Sequence, residues 1–534
     1  MKVSHLLTRV ESMNNVHSLV RSIITYAVCI PLAAVLGYML TKPLSFSEAA
    51  IYCILLFILI FPLLNRFHYP LMLVCWNMPI NMFFIKTSPS IGMVMMPISL
   101  GVSIFNRILA RRVRFLGVPE MVLPLTVMLV VVGFTAELTG GFGLRSLGGD
   151  VYGGKKYAYL IVGILGFFAL TARAIPEERA GFYLSLYLLG PALGVISDTA
   201  AFAPSGLSFI YLFIPPSGAG FGKLLLDPNS FTRWSGVGGF GLTMFTWMLG
   251  RFGVRGVLLS RHVWRPLFFF VFFCLIGLGG FRSAIMQSLL LFAMLFFMER
   301  LHKTPLMFGL LLGGAVLFSV ALPFASHLPV PVQRSLAFLP LDLAPEAVQS
   351  AEGSSEWRLD LWSSMLQQVP QYFFLGKGYA ISMEDWSNIQ AASATAGTDT
   401  GADNPLAISA DYHNGPISVI LPFGIWGMLA FVWIIISCIW VLSRNYRYTS
   451  QSLQPFNAFL LAYFIVKLVI FLTVFGALQD DLGTFLSVVG FSVALNHGVK
   501  SSVAPTSLQG APLRRAGDGM LRPRPAMARQ FINA

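Results

Sequence analysis

The sequence predicts an all-α polytopic membrane protein with about 12–14 transmembrane helices and one large extracytoplasmic loop domain. Three observations predict it. Of 534 residues, 56% are hydrophobic and 11% charged, with a mean hydropathy of +0.73; a soluble globule would carry about one quarter charged residues. The apolar residues form runs long enough to cross roughly 30 Å of hydrocarbon. These runs are continuous and do not alternate, which selects helices over a barrel.

Taken in order, apolar runs fall near 22–40, 49–64, 70–85, 91–105, 118–137, 157–172, 181–196 and 236–250, then 266–280, 283–298, 305–323, 416–442, 455–476 and 482–495. The expected organisation is a cytoplasmic amino terminus (1–21), amino-terminal helices (22–323), a large periplasmic loop (324–415), carboxyl-terminal helices (416–497) and a basic, disordered cytoplasmic tail (498–534). The first run lacks a small-residue cleavage site, so the amino end reads as retained.

Charge sets the orientation. With a cytoplasmic amino terminus, the inner segments hold Arg107, Arg111, Arg112 and Arg114, then Arg173 and Arg179, then Arg251, Arg255, Arg261 and Arg265, then Arg300 and Lys303, then Arg444 and Arg447. That is the positive-inside pattern. The net charge of +13 is mostly this bias, with a basic tail near anionic lipid, so nucleic acid is not an expected partner. Five cysteines all lie within apolar runs and offer neither a disulfide framework nor metal-ligand spacing.

Against that bias, a few outer residues stand out. Arg233 follows Asp227-Pro228-Asn229, Arg282 sits in the turn Gly279-Gly280-Phe281-Arg282-Ser283, and the loop ends in Asp411-Tyr412-His413-Asn414-Gly415 just before an apolar run. Guanidinium groups bind phosphate oxygens bidentately and stay charged when partly buried. A histidine titrates near neutrality and suits proton transfer from a hydroxyl. Together they suit group transfer from a lipid diphosphate to an alcohol, with no evident need for a metal. Within the loop, 356–366 reads as an amphipathic helix in which Arg358 reaches the site, and Trp357 and Trp362 either stack on sugars or pack. Asp411 is placed to orient His413. Lys377, in Gly376-Lys377-Gly378, reads as a loop lysine, and Lys467 as a charge inside a span that needs a partner, Asp480 or Asp481 being nearest.

In order and spacing, Asp227-Pro228-Asn229, Gly280-Phe281-Arg282-Ser283-Ala284, Arg358, Trp362, the 370–378 stretch and His413-Asn414 resemble the O-antigen ligase and polymerase superfamily over roughly 225–442. The family's arginine turn is commonly Gly-Ser-Arg-Gly-Ala; here Phe281 and Ser283 flank the arginine. The resemblance implies a metal-independent, GT-C-type glycosyltransferase of the bacterial inner membrane, needing no cofactor. Its donor would be a glycan on undecaprenyl diphosphate and its acceptor a glycan or lipid A core. It implies His413 as general base, Arg282 and Arg233 as diphosphate ligands, and Asn229, Arg358, Asp411 and Asn414 in support. Ligase, polymerase and protein O-oligosaccharyltransferase remain alternatives. A lipid-linked oligosaccharide flippase is a more distant one, disfavoured because the large loop occurs once and not in paired halves.

Overall fold

The computed structural model describes residues 46–85, 88–110, 115–140, 153–202, 205–216, 233–380 and 412–501. These are all-helical, with an isolated bridge between Asn81 and Ser90 and no strand among the described residues. In chain order the helices are α1 Phe46–Cys75, α2 Ile91–Ala110, α3 Pro119–Thr139, α4 Gly154–Thr171, α5 Ala180–Leu189, α6 Val195–Ala201 and α7 Ile210–Phe213. Then come α8 Ser235–Leu258, α9 Trp264–Leu278, α10 Arg282–Met298, α11 Leu306–Ala321, α12 Val330–Leu336 and α13 Pro345–Tyr372. The chain closes with α14 Gly415–Tyr448, α15 Gln454–Thr473 and α16 Leu478–Asn496. The described helices belong to one compact unit, Met1–Lys500, and Ser501–Ala534 is a separate one.

Among the described residues, six helical stretches are long and apolar enough to span a membrane: Ile91–Ile108, Pro119–Thr139, Glu177–Ala201, Gly415–Tyr448, Gln454–Thr473 and Leu478–Asn496. Four shorter apolar helices accompany them, Leu59–Cys75, Trp264–Leu278, Arg282–Met298 and Leu306–Val320. The molecule is a multi-pass membrane protein. Lipid-side exposure fits this: Phe308 is 78% and Leu312 69% exposed on α11, faces that water would not tolerate in such number.

One expectation is corrected. The runs at 49–64 and 70–85 are not two crossings, because α1 continues through Pro62 and Pro70 to Cys75. Within it Asn65 accepts a bond from Asn106 Nδ2 of α2 at 2.6 Å. Prolines inside such helices are tolerated where neighbours restore the lost bonds. The expected first run, 22–40, lies outside the described residues.

Packing centres on α16, buried on every side from Phe485 to Asn496, as expected of a helix apolar all round. Its polar residues are satisfied at the far end: Ser492 and Asn496 bond Asn457 at 3.0 and 2.7 Å, and Asn445 bonds Ser492 at 3.0 Å. Two long helices are broken and re-stitched. In α8 the break falls at Gly253, and Glu299 accepts from both Val254 N–H and Arg255 N–H at 2.8 Å. In α14 it falls at Gly424 (φ 61°). There the freed Leu421 and Pro422 carbonyls accept from Lys377 and Gly378 N–H at 2.8 and 2.9 Å, while Ile425 N–H donates to Phe373 at 2.7 Å. The broken helix thus keeps its backbone bonds by borrowing from the end of α13.

An arginine-lined cavity beside His413

A cavity of about 780 Å³ opens where α8, α10, α12, α13 and the α15–α16 turn meet. Arg233 precedes α8, Arg282 is the first residue of α10, Arg334 lies on α12 and Arg358 on α13, and all four line it. No Asp or Glu is among the described residues that line it. Charges of one sign, partly withdrawn from water, repel one another unless an anion joins them.

Local structure explains each placement. Arg282 Nη2 donates to the Ala351 carbonyl at 2.9 Å and to Ser355 Oγ at 2.8 Å, docking α13 over the start of α10. The α10 N-cap, Phe281, supplies no side-chain cap, so the positive end of that helix also faces the cavity. Arg334, 4% exposed, donates to the Gly280 carbonyl and, through Nε, to Ser350 Oγ at 3.0 Å. The stem of Arg233 packs 3.7 Å from where a side chain on Gly280 would begin. The Arg358 Nε is buried with no hydrogen-bond partner among the described residues.

The electrostatics agree. Burial, then the charges of Arg233, Arg282 and Arg358, push Arg334 down to about 10. Burial, then Arg282, lowers Arg358, and burial alone lowers Arg233. Away from the arginines the wall is apolar. Ile285, Met286, Leu289, Leu290 and Ala293 continue it along α10, about 16 Å from Arg282 at 1.5 Å per residue.

His413 stands beside this cavity, not among its lining residues. Its backbone is left-handed (φ 47°), and its ring lies between Phe475 (centroids 4.7 Å apart) and Trp357 (5.6 Å). Each neighbour ties it to the wall: Trp362, which lines the cavity, donates from Nε1 to the Tyr412 carbonyl at 3.1 Å, and Val474, also lining, adjoins Phe475. The tryptophans therefore pack around the histidine segment. Asn414 is the N-cap of α14, accepting from Ile417 N–H at 3.0 Å.

Of the sequence candidates, Arg233, Arg282 and Arg358 converge on the cavity and His413 adjoins it. Asn229 and Asp411 lie outside the described residues. Lys377 does not line the cavity; its Nζ lies 6.0 Å from the Tyr372 ring and its turn serves the α14 break. Lys467 has Asp481 as its electrostatic neighbour. Sequence reasoning missed Arg334. The signal was present, since Arg334 falls, like Arg282, on the side that the sequence map expects to be outer, against the positive-inside pattern.

Residues 267–432 match the family model described as O-antigen ligase. Over those residues the chain is similar to the O-antigen ligase family. That segment contains Arg282, Arg334, Arg358 and His413, while Arg233 falls before it. Members of this family are glycosyltransferase-like enzymes, ligases and polymerases, acting on lipid-linked glycans and their acceptors. No curated protein matches the chain.

Proposed function

We propose that the protein is a GT-C-type glycosyltransferase of the bacterial inner membrane that moves a glycan from undecaprenyl diphosphate to an acceptor hydroxyl in surface-polysaccharide synthesis. The carrying observation is the cavity itself, cationic at one end and apolar along α10. Its two-part wall matches an amphiphile with a diphosphate head and a polyprenyl tail.

In this reading Arg282 and Arg233, joined by Arg334 and Arg358, hold the diphosphate. A nitrogen of His413 takes the proton of the acceptor hydroxyl as its oxygen bonds to the anomeric carbon. The bond from that carbon to the diphosphate oxygen breaks, and the electron pair leaves on the diphosphate, where the guanidinium groups stabilise the growing charge. Four fixed cations perform the neutralisation, so the proposal is metal-independent. The left-handed backbone at His413, a conformation disfavoured for a side-chain-bearing residue, together with the ring contacts, fixes where the base points.

Transfer from a polyprenyl-diphosphate-linked glycan in membranes containing His413→Ala is expected to fall by about 10²–10⁴-fold, with unchanged insertion. Wild-type transfer in that variant overturns the assignment. Activity is expected to survive chelator; its loss, with rescue by a divalent ion, contradicts the metal-independent mechanism. Glycan left full-length on the carrier in a deletion strain identifies a ligase, and single repeat units identify a polymerase.

A further inference from the structure

A second cavity, about 130 Å³, lies between the α1–α2 connection, α4 and the first turns of α16. It is at the same end of the bundle as the arginine cavity, and the two flank one turn. Thr473 and Val474 line the first cavity, Gln479 and Asp480 the second, and Phe475 between them carries the His413 ring.

Their chemistry is opposite. No Arg or Lys is among the described residues lining the second cavity. It presents the amides of Asn77 and Gln479, the hydroxyls of Tyr159 and Thr484, and the carboxylate of Asp480. Neutral donors and acceptors with one carboxylate and an aromatic ring suit a polyol, whose vicinal hydroxyls need both donors and acceptors. The space exists because two glycines form part of the lining: a side chain on Gly163 would begin 3.2 Å from the Gly483 Cα, so α4 and α16 touch backbone to backbone there.

The cavity is also wired to the catalytic end. Tyr379 OH donates to Gln479 Oε1 at 3.4 Å, and Tyr379 N–H donates to Tyr157 OH at 2.8 Å. Tyr379 itself follows the Gly376–Gly378 turn that stitches α14, the helix His413 precedes.

We propose that this cavity is the subsite for a sugar ring of the acceptor glycan, with Asp480 and Tyr159 bonding its hydroxyls. The proposal rests on the glycosyltransferase reading for the word acceptor, and on the cavity alone for the sugar. At about 130 Å³ the cavity holds no more than one ring, and the rest of the acceptor extends outward.

The test uses full-length protein in detergent with glucose, galactose and N-acetylglucosamine as probes in saturation-transfer NMR. Ring-proton saturation is expected in the wild type, weakened at least about five-fold in apparent affinity by both Asp480→Asn and Tyr159→Phe, two near-isosteric changes. The same sugars should inhibit transfer in competition with acceptor and not with lipid-linked donor. No saturation on any of the three sugars, saturation unchanged in both variants, or competition with inorganic diphosphate overturns the subsite. Transfer retained in His413→Ala overturns the enzymatic reading and leaves the NMR result to stand or fall separately.

Discussion

Arg334 carries its charge where burial and three other guanidinium groups disfavour it, and this gives the site a measurable signature. Its folded value of about 10 lies below the ordinary arginine value. Between these values the unfolded chain holds a proton that the folded chain has released, so folding stability rises with pH across that window; below it the folded protein bears the cost of the buried charge in full. A bound anion offsets that cost. Inorganic diphosphate at 100 times its Kd is expected to stabilise the protein by about 2.7 kcal/mol, seen as a raised thermal midpoint at pH 8. The shift should shrink above pH about 10 as Arg334 loses its proton, and in Arg334→Gln at either pH. An equal shift in wild type and variant would place the anion elsewhere. Arg282→Lys keeps a charge but loses the fork that reaches Ala351 and Ser355 together, so a rise in donor KM is expected even though insertion is normal.

At the scale of the element, the α13–α14 junction depends on two glycines for the same two reasons. A side chain on Gly424 would meet the Phe373 and Phe374 carbonyls at 2.7 Å, and one on Gly376 the Pro422 carbonyl at 2.1 Å. Both have positive φ, 61° and 76°, which alone costs a non-glycine residue about 1–2 kcal/mol. Gly424→Ala and Gly376→Ala are therefore expected to lower the thermal midpoint, and Gly101→Ala, with open space around it, to leave it unchanged. Equal midpoints in all three would mean the junction is not closed as described. That Gly376-Lys377-Gly378 is a turn could be read from its glycines, but not its partner: nothing in the local pattern says that an apolar run 45 residues downstream will break and supply two carbonyls. The amphipathic helix at 356–366 was legible from spacing, and extends to the 28 residues of α13 because its first half is polar and held by the arginine bonds.

For the whole molecule, what the sequence showed well was set by the solvent. Most of the apolar runs are apolar helices among the described residues, because lipid imposes such composition over many residues at once. What it hid was local: that α1 runs on through Pro62 and Pro70 to Cys75, and the fold of α12 that brings Arg334 under Gly280. In a cysteine-free background, Glu352→Cys is expected to react with a membrane-impermeant maleimide from outside, and Lys303→Cys only after permeabilisation. The reverse pattern would invert the map. Tyr379 and Tyr412, at the two edges of the segment 381–411, are both fully buried and electrostatic neighbours. The chain therefore leaves at Tyr379 and returns at Tyr412 in one place, and the buried Tyr412 ring anchors the backbone that carries His413. A substitution that shrinks either tyrosine thus acts on the base without touching the cavity wall.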